Sequence, residues 1–181
     1  MQIPNSSLLL LGLCVVAGSM FAMTSFSTRK ATDGSGFTQN WDKTLPSVSR
    51  FIVLNDFGGA AVRDGETGLV WEKSLETNEM SWTEARMACV DKDVGGRKGW
   101  RLPSIAELSS LLDPSIKTLP TLPSDHPFVN VHDVYWSATT VTDNPKNAWL
   151  VFFDTGKVLY GIKTITFHVW CVRGRVNTDQ Y

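Results

Sequence analysis

The ten residues Gly99–Leu108 constrain the fold of this chain more than any other stretch of its sequence. Ser104 is followed three residues later by Glu107, which is the pattern of a capping box: the serine hydroxyl accepts a backbone N–H of the first helical turn, and the glutamate reaches back to the serine. Pro103 favours extended backbone in the residue before it. Leucines follow at helical spacing up to Leu112. The stretch therefore predicts an extended segment that turns into a short helix, whose apolar face another element has to cover.

A second capping box has the same spacing, with Ser81 before the helix and Glu84 in its third position. It predicts a helix over residues 82–91 with Cys89 turned to the interior. The capping role satisfies backbone donors that the first helical turn leaves unpaired. We therefore prefer structural caps to catalytic groups for Glu84 and Glu107.

Short β-strands are predicted on both sides of these helices. The opening strands form a meander over residues 50–54, 60–63 and 69–72. The late strands cover residues 134–139, 147–153, 158–162 and 166–172, with a turn over residues 141–146. Between the two groups, Asp113–Val131 holds four of the eight prolines and predicts a long irregular loop. The late hairpins predict an antiparallel sheet.

The N-terminal region predicts export. Leu8–Gly18 is an apolar run of the length found in signal peptides, and it is too short to span a bilayer. We assign residues 1–22 to a signal peptide or N-terminal anchor, 23–49 to a flexible linker, 50–175 to the folded domain and 176–181 to a frayed tail. No lysine or arginine precedes the apolar run, so an uncleaved anchor stays open. The expected location is periplasmic, secreted or cell-surface, with membrane contact only through an uncleaved N-terminal segment.

Removal of the signal segment leaves two cysteines, Cys89 and Cys171. A pair of cysteines in an exported chain predicts one disulfide, and two buried free thiols are the alternative. The bridge would join the first predicted helix to the last predicted strand.

Composition and missing motifs favour binding over catalysis. The net charge of −1 argues against nucleic acid as a partner. The motifs of serine hydrolases, zinc proteases and phosphate-binding loops are absent from the sequence. Most of the seven tryptophans are expected in the core, although tryptophan also lines sugar and peptide sites. The late half combines aromatic and basic residues, and we expect a ligand on the surface formed there by the long loop and the late hairpins. The candidate contacts are Trp136, Trp149, Lys157, Tyr160 and Lys163.

No cofactor or metal site is predicted, with calcium as the alternative. Asp143, Asn144 and Asp154 lie in turns that flank the Trp149 strand, and their oxygens are of the kind that calcium prefers. Arg101 beside the helix start is expected to be a packed or paired cation. The alternative is a guanidinium that binds a carboxylate or sulfate of a ligand.

Six segments resemble, in consistent order, the Lcl C-terminal domain family, a domain of unknown function named for the C-terminal domain of a bacterial collagen-like surface adhesin. They cover residues 64–73, 81–89, 99–108, 135–139, 147–156 and 170–173. The W-R-L-P-x-x-x-E pattern over residues 100–107 is also similar to the formylglycine-generating enzyme group. That second similarity implies an α+β, C-type-lectin-like fold, with two short helices packed on a twisted antiparallel sheet and the domain termini close together.

The aromatic and basic late half and the missing catalytic motifs, together with this resemblance, lead us to expect an exported or surface-attached, adhesin-like binding module without catalytic activity, whose partner is a glycan or protein ligand at the cell surface. The adhesin for which the family is named resembles a binder of sulfated glycans. Its polyanion binding is not carried over, because this chain is nearly neutral and has no collagen-like repeat. The alternatives are a structural or assembly module of a cell-envelope complex, and an enzyme related to the formylglycine-generating group. An enzyme of that kind needs a reactive pair of late cysteines, and here only Cys171 lies late.

Overall fold

The computed structural model describes residues 47–174, which form short helices and two antiparallel sheets. The predicted signal peptide, the tail and all but the last three residues of the predicted linker lie outside the described residues. Between residues 47 and 174, no helix has the length and apolar character needed to cross a membrane. The described part confirms the predicted α+β class.

The first sheet has five strands. They are β1 (Phe51–Leu54), β2 (Ala61–Asp64), β3 (Val70–Glu72), β4 (Trp100–Arg101) and β8 (Val172–Arg173), in the order β1-β2-β3-β8-β4. The predicted opening meander is confirmed, since β1, β2 and β3 pair in sequence and antiparallel. The end of the chain's described part enters this sheet, because β8 lies between β3 and β4.

The second sheet consists of β5 (Val134–Val141), β6 (Asn144–Phe152) and β7 (Lys157–Ile162), paired in that order. Two sheets in the described residues therefore replace the one sheet expected from the sequence. The predicted turn over residues 141–146 is too long, because Val141 already pairs with Asn144. The predicted strand over residues 166–172 is largely wrong, since Phe167 and His168 make only isolated bridges to Met80 and Tyr135. This segment crosses from one sheet to the other and regular pairing resumes at Val172.

The helices are α1 (Ser47–Arg50), α2 (Trp82–Asp91) and α3 (Ile105–Ser109), with a 3-10 turn at Asn55–Phe57. The predicted boundaries of α2 are confirmed. The helix predicted up to Leu112 ends earlier, and its last residues continue as turns in which Leu112 N–H bonds to Ser109 O at 3.1 Å. Capping boxes are present before α2 and α3, which confirms the structural roles of Ser81, Glu84, Ser104 and Glu107.

The predicted disulfide is confirmed, and the alternative of two free thiols is excluded. Cys89 in α2 is bonded to Cys171, the residue before β8, with 5.5 Å between their Cα atoms. Both cysteines lie in an apolar cluster that includes Trp100 and Trp136. A second cluster is built around Trp71 and Trp170. The bridge thus ties α2 to the segment that joins the two sheets.

Candidate functional site

Two of the candidate contacts lie together on the second sheet, at the part of one side where β6 and β7 reach solvent. Trp149 on β6 lies opposite Tyr160 on β7, and their ring centroids are 5.8 Å apart at an interplanar angle of 88°. Because strand residues alternate between faces, Val158 and Ile162 share this side with Tyr160. Tyr160 is 59% exposed, and Trp149 is partly buried. We call the surface formed by these four residues the outer face.

The opposite side of the same sheet is packed into the core. Ala148 and Leu150 are buried there. A Cβ atom on Gly161 would lie 3.0 Å from Leu150 Cδ1 and 3.2 Å from Phe167 Cε2, so this position accepts only a glycine without local rearrangement. Close packing on the core side holds β6 and β7 in register and thereby fixes the outer face.

Trp136 does not belong to a surface site, which corrects the prediction made for this residue. It is 0% exposed, and its indole Nε1 donates to Met80 O at 2.9 Å. Its ring packs edge-on against Phe167. Trp136 is therefore a core residue that joins the second sheet to the segment before α2.

The two candidate lysines lie away from the outer face. Lys157 pairs with Phe152 and points to the face that carries Leu150, opposite to Tyr160. The Lys163 ammonium donates to Thr140 Oγ1 at 2.9 Å and lies 3.9 Å from the ring centroid of Trp82. Of the five predicted contacts, the structure brings together Trp149 and Tyr160 and separates the others from them.

The long loop over residues 113–131 has no helix or strand, as predicted, and it is held tightly. Thr121 N–H and Thr121 Oγ1 both donate to Phe153 O, at 2.7 Å and 2.9 Å. Leu122 and Phe128 are buried in the core cluster of Trp71. Such pinning explains how a long irregular segment is kept in a compact domain. A role of this loop in the ligand surface stays a prediction.

Arg101 is a paired cation, in agreement with the preferred interpretation. Its Nη1 and Nη2 atoms each donate to a carboxylate oxygen of Glu107 at 2.7 Å, and Nη2 also donates to Gly174 O. Glu107 accepts Ser104 N–H at 2.8 Å as well. Burial alone would raise the pKa of Glu107, but the bonds from Arg101 and Ser104 outweigh it and lower that pKa. The guanidinium is thus committed to the helix start.

The calcium hypothesis fails on geometry for the three oxygen donors that suggested it. Asp143 precedes β6 and Asn144 begins it, whereas Asp154 follows its end. A strand of this length separates them by roughly 30 Å, so they cannot share one ion. Within residues 47–174, no group of three or more His, Cys, Asp or Glu side chains is placed to hold a metal ion.

A histidine pair is the feature that sequence reasoning missed. His132 and His168 stack with 4.0 Å between ring centroids and an interplanar angle of 18°. His168 Nε2 lies 3.6 Å from a Glu79 carboxylate oxygen and 4.0 Å from one of Asp133. His132 Nε2 and His168 Nδ1 are buried and have no hydrogen-bond partner among the described residues. The two histidines are far apart in sequence and meet only because residue 168 pairs with β5, so no local motif indicates the contact.

The pKa of His168 is lowered from its usual value of 6.5, first by burial and then by the neighbouring His132. Glu79 and Asp133 oppose this shift without reversing it. Burial likewise raises the pKa of Tyr135, whose hydroxyl oxygen accepts His132 N–H at 2.7 Å. The neutral imidazole of His168 is thus favoured in the folded protein near pH 7.

The fold and site together define a disulfide-linked α+β domain of antiparallel sheets that presents an aromatic outer face. Residues 60–173 match the family model of the Lcl C-terminal domain. Because this match covers more than half of the chain, the chain belongs to the Lcl C-terminal domain family, as the sequence resemblance indicated. Membership indicates a surface-associated bacterial domain, and the disulfide is compatible with export. No curated protein matches this chain.

Proposed function

We propose that this protein is an exported, adhesin-like binding module without catalytic activity, and that it holds an uncharged saccharide or a saccharide-bearing surface ligand against the outer face. The observation that carries the proposal is the pairing of Trp149 with the exposed Tyr160 at adjacent positions of β6 and β7. The proposal includes a C-type-lectin-like chain path for the domain, for which the α+β class gives partial support.

The outer face has the chemistry that sugar recognition needs. Aromatic rings offer a large apolar surface to the C–H groups of a sugar ring, and tyrosine adds a polar hydroxyl at its tip. Trp149 and Tyr160 both lie in paired strands, so little conformational entropy is lost in ordering them when a ligand binds. An aromatic pair on strands is therefore better suited to a weak, specific sugar contact than side chains on a loop.

The charges around the site favour an uncharged ligand over a sulfated one. Lys157 points to the other side of β7, and the ammonium of Lys163 is already bound to Thr140 and lies over Trp82. Recognition of sulfate groups depends on cations directed at the ligand. The two candidate lysines are not directed there.

The test is a glycan array of neutral and sulfated saccharides with the full chain, followed by calorimetric titration of any saccharide retained. We expect neutral saccharides to bind and Tyr160→Ala to weaken binding roughly tenfold, because aromatic contacts contribute about 0.5–1.5 kcal/mol. Met87→Ala is the matched control, since Met87 is 57% exposed but lies on α2. Absence of binding to every saccharide, or equal affinity in Tyr160→Ala, would contradict the proposal.

A structural or assembly role in a cell-envelope complex is the second candidate. It is favoured by the exposed apolar residues of β7, which are typical of surfaces that other chains cover. Recovery of one dominant envelope partner with the full chain, with no saccharide bound, would support it. An enzyme like the formylglycine-generating group is not proposed, because Cys171 is bonded to Cys89 and offers no free late thiol.

A further inference from the structure

Within residues 47–174, the strand β7 is an edge of the second sheet. Lys163 N–H bonds to Lys146 O across the β6–β7 pair at 3.0 Å. Since bonded and non-bonded pairs alternate in an antiparallel ladder, every second residue of β7 bonds to β6. The others, Val158, Tyr160 and Ile162, direct their N–H groups away from β6, and no described strand pairs with that side of β7. At the end of β7, Ile162 O already accepts Ile165 N–H at 3.0 Å.

The same strand exposes apolar side chains on both of its faces. Val158, Tyr160 and Ile162 are 38%, 59% and 52% exposed on the outer face, and Leu159 is 49% exposed on the other. An edge strand with free backbone groups and apolar side chains is a template for pairing with another strand. Lys157, at the start of β7, is its one charged residue.

We propose that two copies of this protein pair through their β7 strands, antiparallel and about a two-fold axis, so that the two second sheets become one continuous six-stranded sheet. A second copy fits this edge because its own β7 has apolar side chains on both faces of the strand. Its unpaired backbone groups also recur at every second residue, as they do in the first copy. In a two-fold arrangement each copy covers the edge of the other, and no free edge is left at the contact. This proposal does not depend on the proposed saccharide binding.

Charge selects the register of this pairing. The residues whose backbone N–H groups point away from β6 have to face the same kind of residue in the other copy, so that the two strands can bond. Two registers that keep the strands centred on each other meet this condition. With Tyr160 opposite its own copy, Lys157 faces Lys163 of the other copy, and like charges directly opposite each other are unfavourable. With Leu159 opposite its own copy, Lys157 faces Gly161 and Val158 faces Tyr160. We assign the second register, because Lys157 then faces no lysine while Val158, Leu159 and Tyr160 still face apolar residues; Ile162 faces Gly156, just before β7.

In this register the outer faces of the two copies lie side by side on one sheet. Val158 and Tyr160 of each copy then contact their counterparts across the axis. Dimerisation would thus extend the aromatic surface from one copy to the next.

The first test is sedimentation of the full chain across the micromolar range, compared with Leu159→Lys. We expect a dimer for the unaltered chain and a dimer Kd raised about tenfold or more in the variant, because two leucines leave the interface and two ammonium groups face each other. Met87→Lys, at a 57% exposed position of α2, is the control and should dimerise normally. A monomer at every concentration, a trimer, or unchanged dimerisation of Leu159→Lys would overturn the proposal.

The second test determines the register of the β7–β7 pairing by disulfide cross-linking, and it does not rely on a variant that weakens the dimer. Non-bonded antiparallel pairs bring Cβ atoms to roughly 4.5–5.5 Å, close to the separation that a disulfide needs. Leu159→Cys, in a Cys14→Ser background, should therefore form a dimer cross-linked by a disulfide on mild oxidation. Val158→Cys in the same background faces Tyr160 of the other copy and should cross-link far less. Equal cross-linking of the two variants, or none at Leu159→Cys, would overturn the assignment.

Discussion

The two capping boxes are predicted to differ sharply in their contribution to stability although their sequence patterns are the same. Glu84 is exposed, and among the described residues its carboxylate bonds to Ser81 alone. Glu107 is 7% exposed and bonds to Ser104 and, twice, to Arg101. We therefore expect Glu107→Ala to lower the free energy of unfolding by about 3 kcal/mol and Glu84→Ala to lower it much less.

This magnitude follows from the bonds that Glu107 makes. Loss of a helix cap costs about 1 kcal/mol. Each hydrogen bond between charged groups contributes about 1.5–3 kcal/mol when it is buried. The Arg101 side chain is 37% exposed, so water solvates much of its guanidinium once Glu107 is gone, and the Arg101 contribution falls to about 2 kcal/mol. The sum is about 3 kcal/mol.

Urea unfolding followed by tryptophan fluorescence measures both variants, and an unchanged m-value ensures that the free energies are comparable. The pKa of Glu107 is lowered from its usual value of 4.5, so its stabilisation is fully present above pH 4.5 and is lost as the pH falls through the lower, folded-state pKa. The free energies of wild type and Glu107→Gln should therefore converge in acid. If Glu107→Ala costs no more than Glu84→Ala, the argument from burial and the Arg101 bonds is wrong.

Two further predictions concern the disulfide and the histidine pair. Replacement of both Cys89 and Cys171 by serine should lower the free energy of unfolding by about 4.5 kcal/mol in the chain-entropy model, because the bridge joins residues separated by 82 positions. A loss below about 1 kcal/mol would show that the denatured state is already compact there. Because the folded-state pKa of His168 lies below 6.5, the unfolded chain takes up more protons as the pH falls through 6.5, so stability should be lower at pH 5.5 than at pH 8. His168→Gln should flatten this dependence between those pH values, and an unchanged slope would argue against the shift.

Local patterns in the sequence predicted the helix starts and the tight turns because their causes are local. Ser81 and Ser104 cap helices through residues only three positions away, and the structure begins α2 and α3 directly after them. The end of α3 was less well predicted, since the leucine spacing continues to Leu112 while the chain tightens into turns after Ser109. Leu111 remains fully buried, so the apolar pattern reflected burial rather than helix length.

Trp136 and the segment before β8 show where sequence reasoning was insufficient. In β5, Tyr135 and Trp136 are neighbours that point to opposite faces, and both are 0% exposed. The alternation of side chains along a strand gives exposed residues only when one face of the sheet meets solvent. At this part of β5, core residues cover both faces of the sheet. Residues 166–171 have the composition of a strand, but they bridge two sheets. Which sheet a strand joins is decided by long-range contacts that the sequence pattern does not record.

The stabilising elements and the proposed binding surface draw on different parts of the domain. The Glu107 cap and the disulfide hold the region where α2, α3 and β8 meet, whereas Trp149 and Tyr160 lie on β6 and β7 and share none of those bonds. Ser104→Ala should accordingly remove a cap worth about 1 kcal/mol and leave saccharide affinity unchanged while the protein is folded. Tyr160→Ala should do the reverse, since the residue is 59% exposed and its loss opens no cavity in the core. Thus Gly99–Leu108, the stretch that most constrains the fold, has a structural role, and the ligand is to be sought on the second sheet, at Trp149 and Tyr160.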